Sequence, residues 1–169
     1  LINMNILVTG GYGFIGSNFI LKQVRDHNYT VLNLDKVTYA GNSDNLVSIS
    51  NHPNYQFVKG DICDQKLVSS TIQKFQPDTI VHFAAESHVD RSIDNPMQFI
   101  HTNIVGTVTL LNAALEYWYK LNNKDQKLSF KFLHVSTDEV FGSLGNKGFF
   151  VETTPYNPSS PYSASKAGS

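Results

Sequence analysis

Five short apolar runs punctuate the chain: Asn5–Thr9, Thr30–Leu34, Tyr55–Lys59, Thr79–Phe83 and Phe130–Val135. Each is too short for a helix and gives way to polar or glycine-rich sequence, the pattern of a strand buried on both faces. Between them the apolar period changes. Phe19, Ile20 and Val24 recur at helical spacing within Ser17–Asp26. Leu67, Val68, Ile72 and Phe75 do the same within Asp64–Gln76, with Asp64 as N-cap and Pro77 as stop. Asp94-Asn95-Pro96 opens a third helix, from about Met97 to Tyr119, with Ile100, Ile104, Val108, Leu111 and Leu115 on one stripe. Residues 84–92 read as a polar loop and Leu121–Lys127 as a polar link. Strands alternating with helices, without repeat or low-complexity tract, predict an α/β fold with a doubly wound parallel sheet.

The junction after the first strand carries chemistry. Gly10-Gly11-Tyr12-Gly13-Phe14-Ile15-Gly16 lies between a strand and a helix, the context of a dinucleotide fingerprint. Glycines permit a tight turn and let backbone N–H groups approach a pyrophosphate at the helix N-terminus. Two registers fit, Gly11-x-Gly13-x-x-Gly16 and Gly10-x-x-Gly13-x-x-Gly16, and the second is taken here. Asp35 ends the second strand nineteen residues after Gly16, the place of the acid that binds the adenosine ribose. A carboxylate there repels a 2′-phosphate and favours NAD over NADP. Lys36 beside it works in the opposite direction.

Composition narrows the field. The 169 residues suffice for one domain, and 41% apolar with 16% charged residues is ordinary globular composition. A net charge of −1 gives no electrostatic footprint for a nucleic-acid or membrane-surface partner. The single Cys63 excludes an internal disulfide and reads as a small filler, not a nucleophile. His82, His88 and His101 lack the spacing of a ligand set, so no metal is expected. No run approaches the ~18 apolar residues of a membrane span. Leu1-Ile2-Asn3-Met4 lacks the features of a signal peptide, Met4 is a candidate natural start, and a cytoplasmic location is the expectation. The chain stops three residues past Lys166, inside an expected helix, which suggests a truncated sequence.

Two later segments are the most specific. His134-Val135-Ser136-Thr137-Asp138-Glu139-Val140-Phe141-Gly142 turns from an apolar strand into a hydroxyl pair and two adjacent carboxylates. Ligands bind outside the carboxyl ends of strands in parallel sheets, and paired acids there can divide proton-transfer roles. Tyr162-Ser163-Ala164-Ser165-Lys166 puts a tyrosine and a lysine on one helical face. A tyrosine near its free pKa of ~10 is a poor base, and a neighbouring ammonium is expected to lower it.

Ser-Thr-Asp-Glu-Val-Phe-Gly followed by Pro-Tyr-Ser-Ala-Ser-Lys-Ala resembles the nucleotide-sugar 4,6-dehydratases (the dTDP-glucose 4,6-dehydratase family), which are extended short-chain dehydrogenases/reductases. The likeness runs from about Asn5 to the last residue. It implies a Rossmann-like NAD(P)-binding domain over residues 1–169, incomplete and without the C-terminal substrate domain. It implies a lyase of deoxysugar biosynthesis that uses NAD to convert dTDP- or UDP-glucose to a 4-keto-6-deoxy sugar. Thr137, Asp138, Glu139, Tyr162 and Lys166 are then catalytic. Gly10, Gly13, Phe14, Ile15, Gly16, Asp35, Lys36, Thr38, Gly41, Asp61, Ile62, Phe83, Ala84, Ala85, Thr102, Tyr162 and Lys166 are expected to bind the cofactor. Ser87 and Thr137 are expected on the nucleotide-sugar substrate. The resemblance further implies a homodimer built partly from the third helix. A UDP-sugar 4-epimerase shares the Tyr/Lys pair but does not need the adjacent acids. A non-catalytic NAD(H)-binding module would show a broken catalytic set. On its own, the chain is expected to be inactive, with residues from about Thr153 mobile or displaced.

Overall fold

Strands β1 (Asn5–Thr9), β2 (Thr30–Asp35), β3 (Tyr55–Lys59), β4 (Thr79–His82) and β5 (Lys131–His134) form one sheet in the order β3-β2-β1-β4-β5. Every pairing is parallel, with Leu7 opposite both Leu32 and Ile80. The structure is a computed structural model that describes residues 4–145 and 147–169. The expectation for Leu1–Asn3 ahead of Met4 lies outside the described residues. Among the described residues no helix is long and apolar enough to cross a membrane.

Side chains alternate across a strand, and here both faces are apolar. Leu7, Leu32, Leu34 and Ile80 face α2 (Gln65–Phe75) and part of α5 (Thr107–Lys120), packing with Val68, Ile72, Leu110, Ala113, Ala114 and Tyr117. Ile6, Val8, Val31 and Val81 pack on the other face with Ile20 and Val24 of α1 (Phe14–Asp26). Covering both faces suits the apolar runs of the inner strands β1, β2 and β4, whereas the edge strands β3 and β5 are largely exposed or half-buried. Truncating a fully buried core residue such as Leu7 or Ile80 to alanine costs about 2–5 kcal/mol.

The chain divides into two compact units, Leu1–Ala84 with Thr109–Val135, and Ala85–Val108 with Ser136–Ser169. The first holds the sheet. The second contains α3 (Val89–Asp94), α4 (Pro96–Phe99), a π-helical segment (Ile100–Gly106), a 3₁₀ turn (Asp138–Phe141) and α7 (Pro161–Ala167).

Several expectations are corrected. The expected loop at 84–92 contains the start of α3, and the expected link at Leu121–Lys127 starts α6 (Lys124–Ser129), capped by Asn123. Ser43–Ile49 is a 3₁₀ turn that buries Leu46 and Ile49. The helix expected from Met97 to Tyr119 is not uniformly α. Its centre is π-helical, and Thr107 Oγ1 donates to the Asn103 carbonyl there at 2.6 Å. The stripe also faces the other way: Ile100, Val108, Leu111 and Leu115 are exposed, whereas Leu110, Ala113, Ala114 and Tyr117 are buried. Both faces are apolar, so periodicity alone cannot say which one meets the sheet.

Candidate active site

The first unit builds a glycine turn against the end of β2. Gly10 adopts φ +71°, and a Cβ there would lie 2.6 Å from the Ala84 backbone. Only glycine suits that position. At Gly16 a Cβ would meet the Gly10 carbonyl at 2.4 Å. Asp35 is buried, and its carboxylate accepts the N–H groups of Tyr12 (2.9 Å) and Val37 (2.7 Å). Val37 pays for that contact with φ +59°, a strained conformation for a β-branched residue. A turn closed by Gly41 N–H on the Thr38 carbonyl lies beside Asp35.

Lys36 and Asp61 form an ion pair at 2.6 Å. Asp61 also accepts the Cys63 N–H at 2.9 Å. Although burial opposes it, these partners hold the Asp61 carboxyl below its usual range. Burial and the Asp61 charge push the Cys63 thiol up to about 11, which suits a filler better than a nucleophile. Ile62 is buried, while Phe83 and Ala84 are half-buried after β4. The Ala84 N–H reaches Thr9 Oγ1 (3.3 Å), which also bonds Nδ1 of the buried His82 (2.6 Å). Phe14 and Ile15, the first residues of α1, are exposed.

The second unit gathers the expected catalytic side chains. Thr137 caps the 3₁₀ turn, accepting the Glu139 N–H at 3.3 Å, and its hydroxyl lies 3.4 Å from Asp138 Oδ1. Thr137 lies near enough to the Tyr162 hydroxyl to favour its phenolate. Asp138 and Glu139 are exposed. Lys166, one helical turn after Tyr162, is buried. A capping box between Ser160 and Ser163, with Pro161 in the first turn, starts this helix.

The expected lowering of the tyrosine pKa is not what the chain produces. Burial pushes Tyr162 above its ordinary value, and the Glu139 and Asp138 charges add to this, against the opposing effect of Thr137. Burial also pulls the Lys166 ammonium down to about 8.

Asn103, which the sequence places with Thr102 near the start of the third helix on the cofactor side, is a buried hydrogen-bonding centre of this unit. Its amide accepts the Glu86 N–H (2.8 Å) and donates to the Glu86 carbonyl (2.9 Å) and to Ser165 Oγ (2.8 Å). Ser165 in turn donates to the Tyr162 carbonyl at 2.7 Å. Ser87, exposed, follows Glu86, and Thr102, half-buried, precedes Asn103, so both expected ligand residues flank this clamp. Ala85 is half-buried.

The chain is 56% identical over 163 residues to a dTDP-glucose 4,6-dehydratase of Xanthomonas campestris pv. campestris (strain B100), covering 96% of this chain and 46% of that protein. Among solved structures, a dTDP-glucose 4,6-dehydratase from Bacillus anthracis in complex with NAD matches with a TM-score of 0.82 and 47% identity, over 98% of this chain and 47% of that one. The enzyme of the same name from Streptomyces venezuelae, with NAD bound, matches with a TM-score of 0.84 and 45% identity, over 98% and 49%. The chain spans about half the length of the curated relatives it matches. The GDP-mannose 4,6 dehydratase family matches residues 7–169, and with a parallel sheet, a glycine turn and a Thr-Asp-Glu set beside Tyr162, the chain belongs to that family.

Proposed function

We propose that the protein is an NAD-dependent nucleotide-diphosphoglucose 4,6-dehydratase, with dTDP-glucose, the substrate named for its relatives, as the first candidate. One observation carries this reading: Thr137, Asp138 and Glu139 open the 3₁₀ turn after β5 in the same unit as Tyr162, whose hydroxyl all three influence. A 4-epimerase needs the hydroxyl and the tyrosine but not two acids.

The first unit fits a dinucleotide. The α1 N-cap, Gly13, offers no side chain to the first-turn N–H groups, so Phe14, Ile15 and Gly16 retain donors for a pyrophosphate. Asp35 suits the adenosine ribose, Asp61 the adenine amino group, and Ile62 its face. When bound, NAD supplies the hydride acceptor at carbon 4, the donor at carbon 6 and a positive ring charge. Lys166 and that charge favour the Tyr162 phenolate, countering the upward push of burial and the carboxylates. Tyr162 takes the proton of the sugar 4-hydroxyl while Thr137 holds that oxygen. The carbon-4 ketone acidifies the proton on carbon 5, which Glu139 removes. Asp138 protonates the departing carbon-6 hydroxyl, and the net change is loss of one water. Ser87 is assigned to substrate contact.

The exposed apolar side chains Val108, Leu111 and Leu115 support a homodimer through α5. The deciding experiment is mass spectrometry of the full protein incubated with NAD and either dTDP-glucose or UDP-glucose. Loss of one water from at least one sugar, abolished in Glu139→Gln, is expected. An isomer of unchanged mass would establish the epimerase instead.

A further inference from the structure

Asn33 is an anomaly in the core. It lies in the middle of β2, flanked by Leu32 and Leu34, and is fully buried. A buried carboxamide is costly unless both ends are bonded. Its Oδ1 accepts the Gly11 N–H at 3.0 Å, and its Nδ2 donates to Tyr55 Oη at 3.2 Å. The fit around Gly11 is tight: a Cβ there would come 2.3 Å from Asn33 Oδ1 and 2.4 Å from Ile20 Cδ1. Burial keeps the Tyr55 hydroxyl protonated, far above the ordinary tyrosine value, and the neighbouring Tyr12 pushes it the same way. Tyr12 packs on Phe57 with ring centroids 4.8 Å apart, and its carbonyl accepts the Asn42 N–H at 3.0 Å and Asn45 Nδ2 at 3.1 Å.

These bonds tie off the turn one peptide at a time. The Gly10 N–H goes to the Leu34 carbonyl (3.0 Å), Gly11 to Asn33, Tyr12 to Asp35, and Gly13 to the Gly10 carbonyl (3.2 Å). Ser17 N–H then makes the first bond of α1 to the Gly13 carbonyl at 2.9 Å. What the turn leaves for a ligand is the run Phe14–Gly16. Three of the four anchors are backbone carbonyls or the proposed ribose acid. Asn33 is the one side chain among them with no proposed ligand contact of its own.

We propose that Asn33, backed by Tyr55, is a positioning residue for the cofactor diphosphate: it fixes the Gly11 peptide so that the Phe14–Gly16 donors are presented in one orientation. The proposal rests on the dinucleotide reading above. An apolar residue at position 33 would serve the core but would leave the Gly11 N–H without its acceptor.

The test is calorimetric titration of the full protein with ADP and with adenosine, which shares the adenine and ribose but lacks the diphosphate. Asn33→Leu should weaken ADP and NAD about tenfold and adenosine less than about twofold. Tyr55→Phe, which keeps the Gly11 acceptor but removes its backing, should weaken ADP about threefold, and its effect should vanish in the Asn33→Leu background. An unchanged ADP-to-adenosine affinity ratio in Asn33→Leu overturns the proposal, whether both affinities fall together or neither does. If Asn33→Leu does not fold, the ratio in Tyr55→Phe decides in the same way. Wild-type protein that binds neither ADP nor NAD would instead overturn the dinucleotide reading, and this proposal with it.

Discussion

The glycine turn and the Thr137–Glu139 segment are both loops that follow a strand, yet they are built in opposite ways. Around the turn, Asn33 and Asp35 are buried, and their bonds to the turn are 2.9–3.0 Å long. Asp138 and Glu139 are exposed, and Thr137 meets them at 3.3–3.4 Å. A turn that must receive the same diphosphate at every cycle gains from being fixed before binding. Carboxylates that exchange protons with a substrate gain from solvent contact until the substrate arrives. On the proposed reading, binding is the preorganised function, and the acid–base groups are left to be oriented by their ligand.

That contrast can be broken at its strongest point by Tyr162→Phe. In the full protein this should lower turnover by about 10²–10⁴-fold while weakening NAD by no more than about tenfold, since general acid–base groups contribute on that scale. Loss of NAD binding in parallel, seen by calorimetry, would mean that the two functions are not separable. Lys166 sharpens the energetic side. Its pKa of about 8 lies below the unfolded lysine value of ~10.4, so the folded state binds fewer protons between these limits. Stability should therefore rise as pH increases from about 8 to about 10.4, with the penalty complete below 8. Lys166→Met should remove that slope from thermal melts and gain up to about 3 kcal/mol at pH 7. A smaller change is expected at the fixed end: Asp35→Asn should narrow the preference for NAD over NADP by about tenfold in paired titrations. The smallest is Val37→Asn. Asparagine tolerates positive φ, and the swap should add about 1 kcal/mol, or about 2–4 °C in Tm by calorimetry.

The inner strands were legible because a parallel sheet covered on both faces writes continuous apolar runs. Only ends shifted, with Phe83, Phe130 and Val135 falling outside β4 and β5. The strand–glycine turn–helix junction, the strand end at Asp35 and the helix that carries Tyr162 and Lys166 were legible because their spacing follows from local geometry. The hydrogen bonds of Asn33 and Asn103 were not, because their partners, Gly11, Tyr55, Glu86 and Ser165, lie far away along the chain. Which face of α5 meets the sheet was not legible for a different reason: valines and leucines mark an apolar stripe equally well on either side of a helix. The direction of the Tyr162 shift was missed because burial and two neighbouring carboxylates together outweigh what spacing to Lys166 suggests.

The Gly11 amide carries a consequence for observing the molecule. A loop N–H ordinarily exchanges with solvent on the timescale of local fraying. This one is buried against a side chain from a central strand, so its proton can leave only when β2 moves away from the turn. Its exchange rate should follow the opening of the sheet, not that of the loop. A single glycine resonance would then report on the integrity of the nucleotide-facing edge under denaturant or heat, with no ligand or assay present.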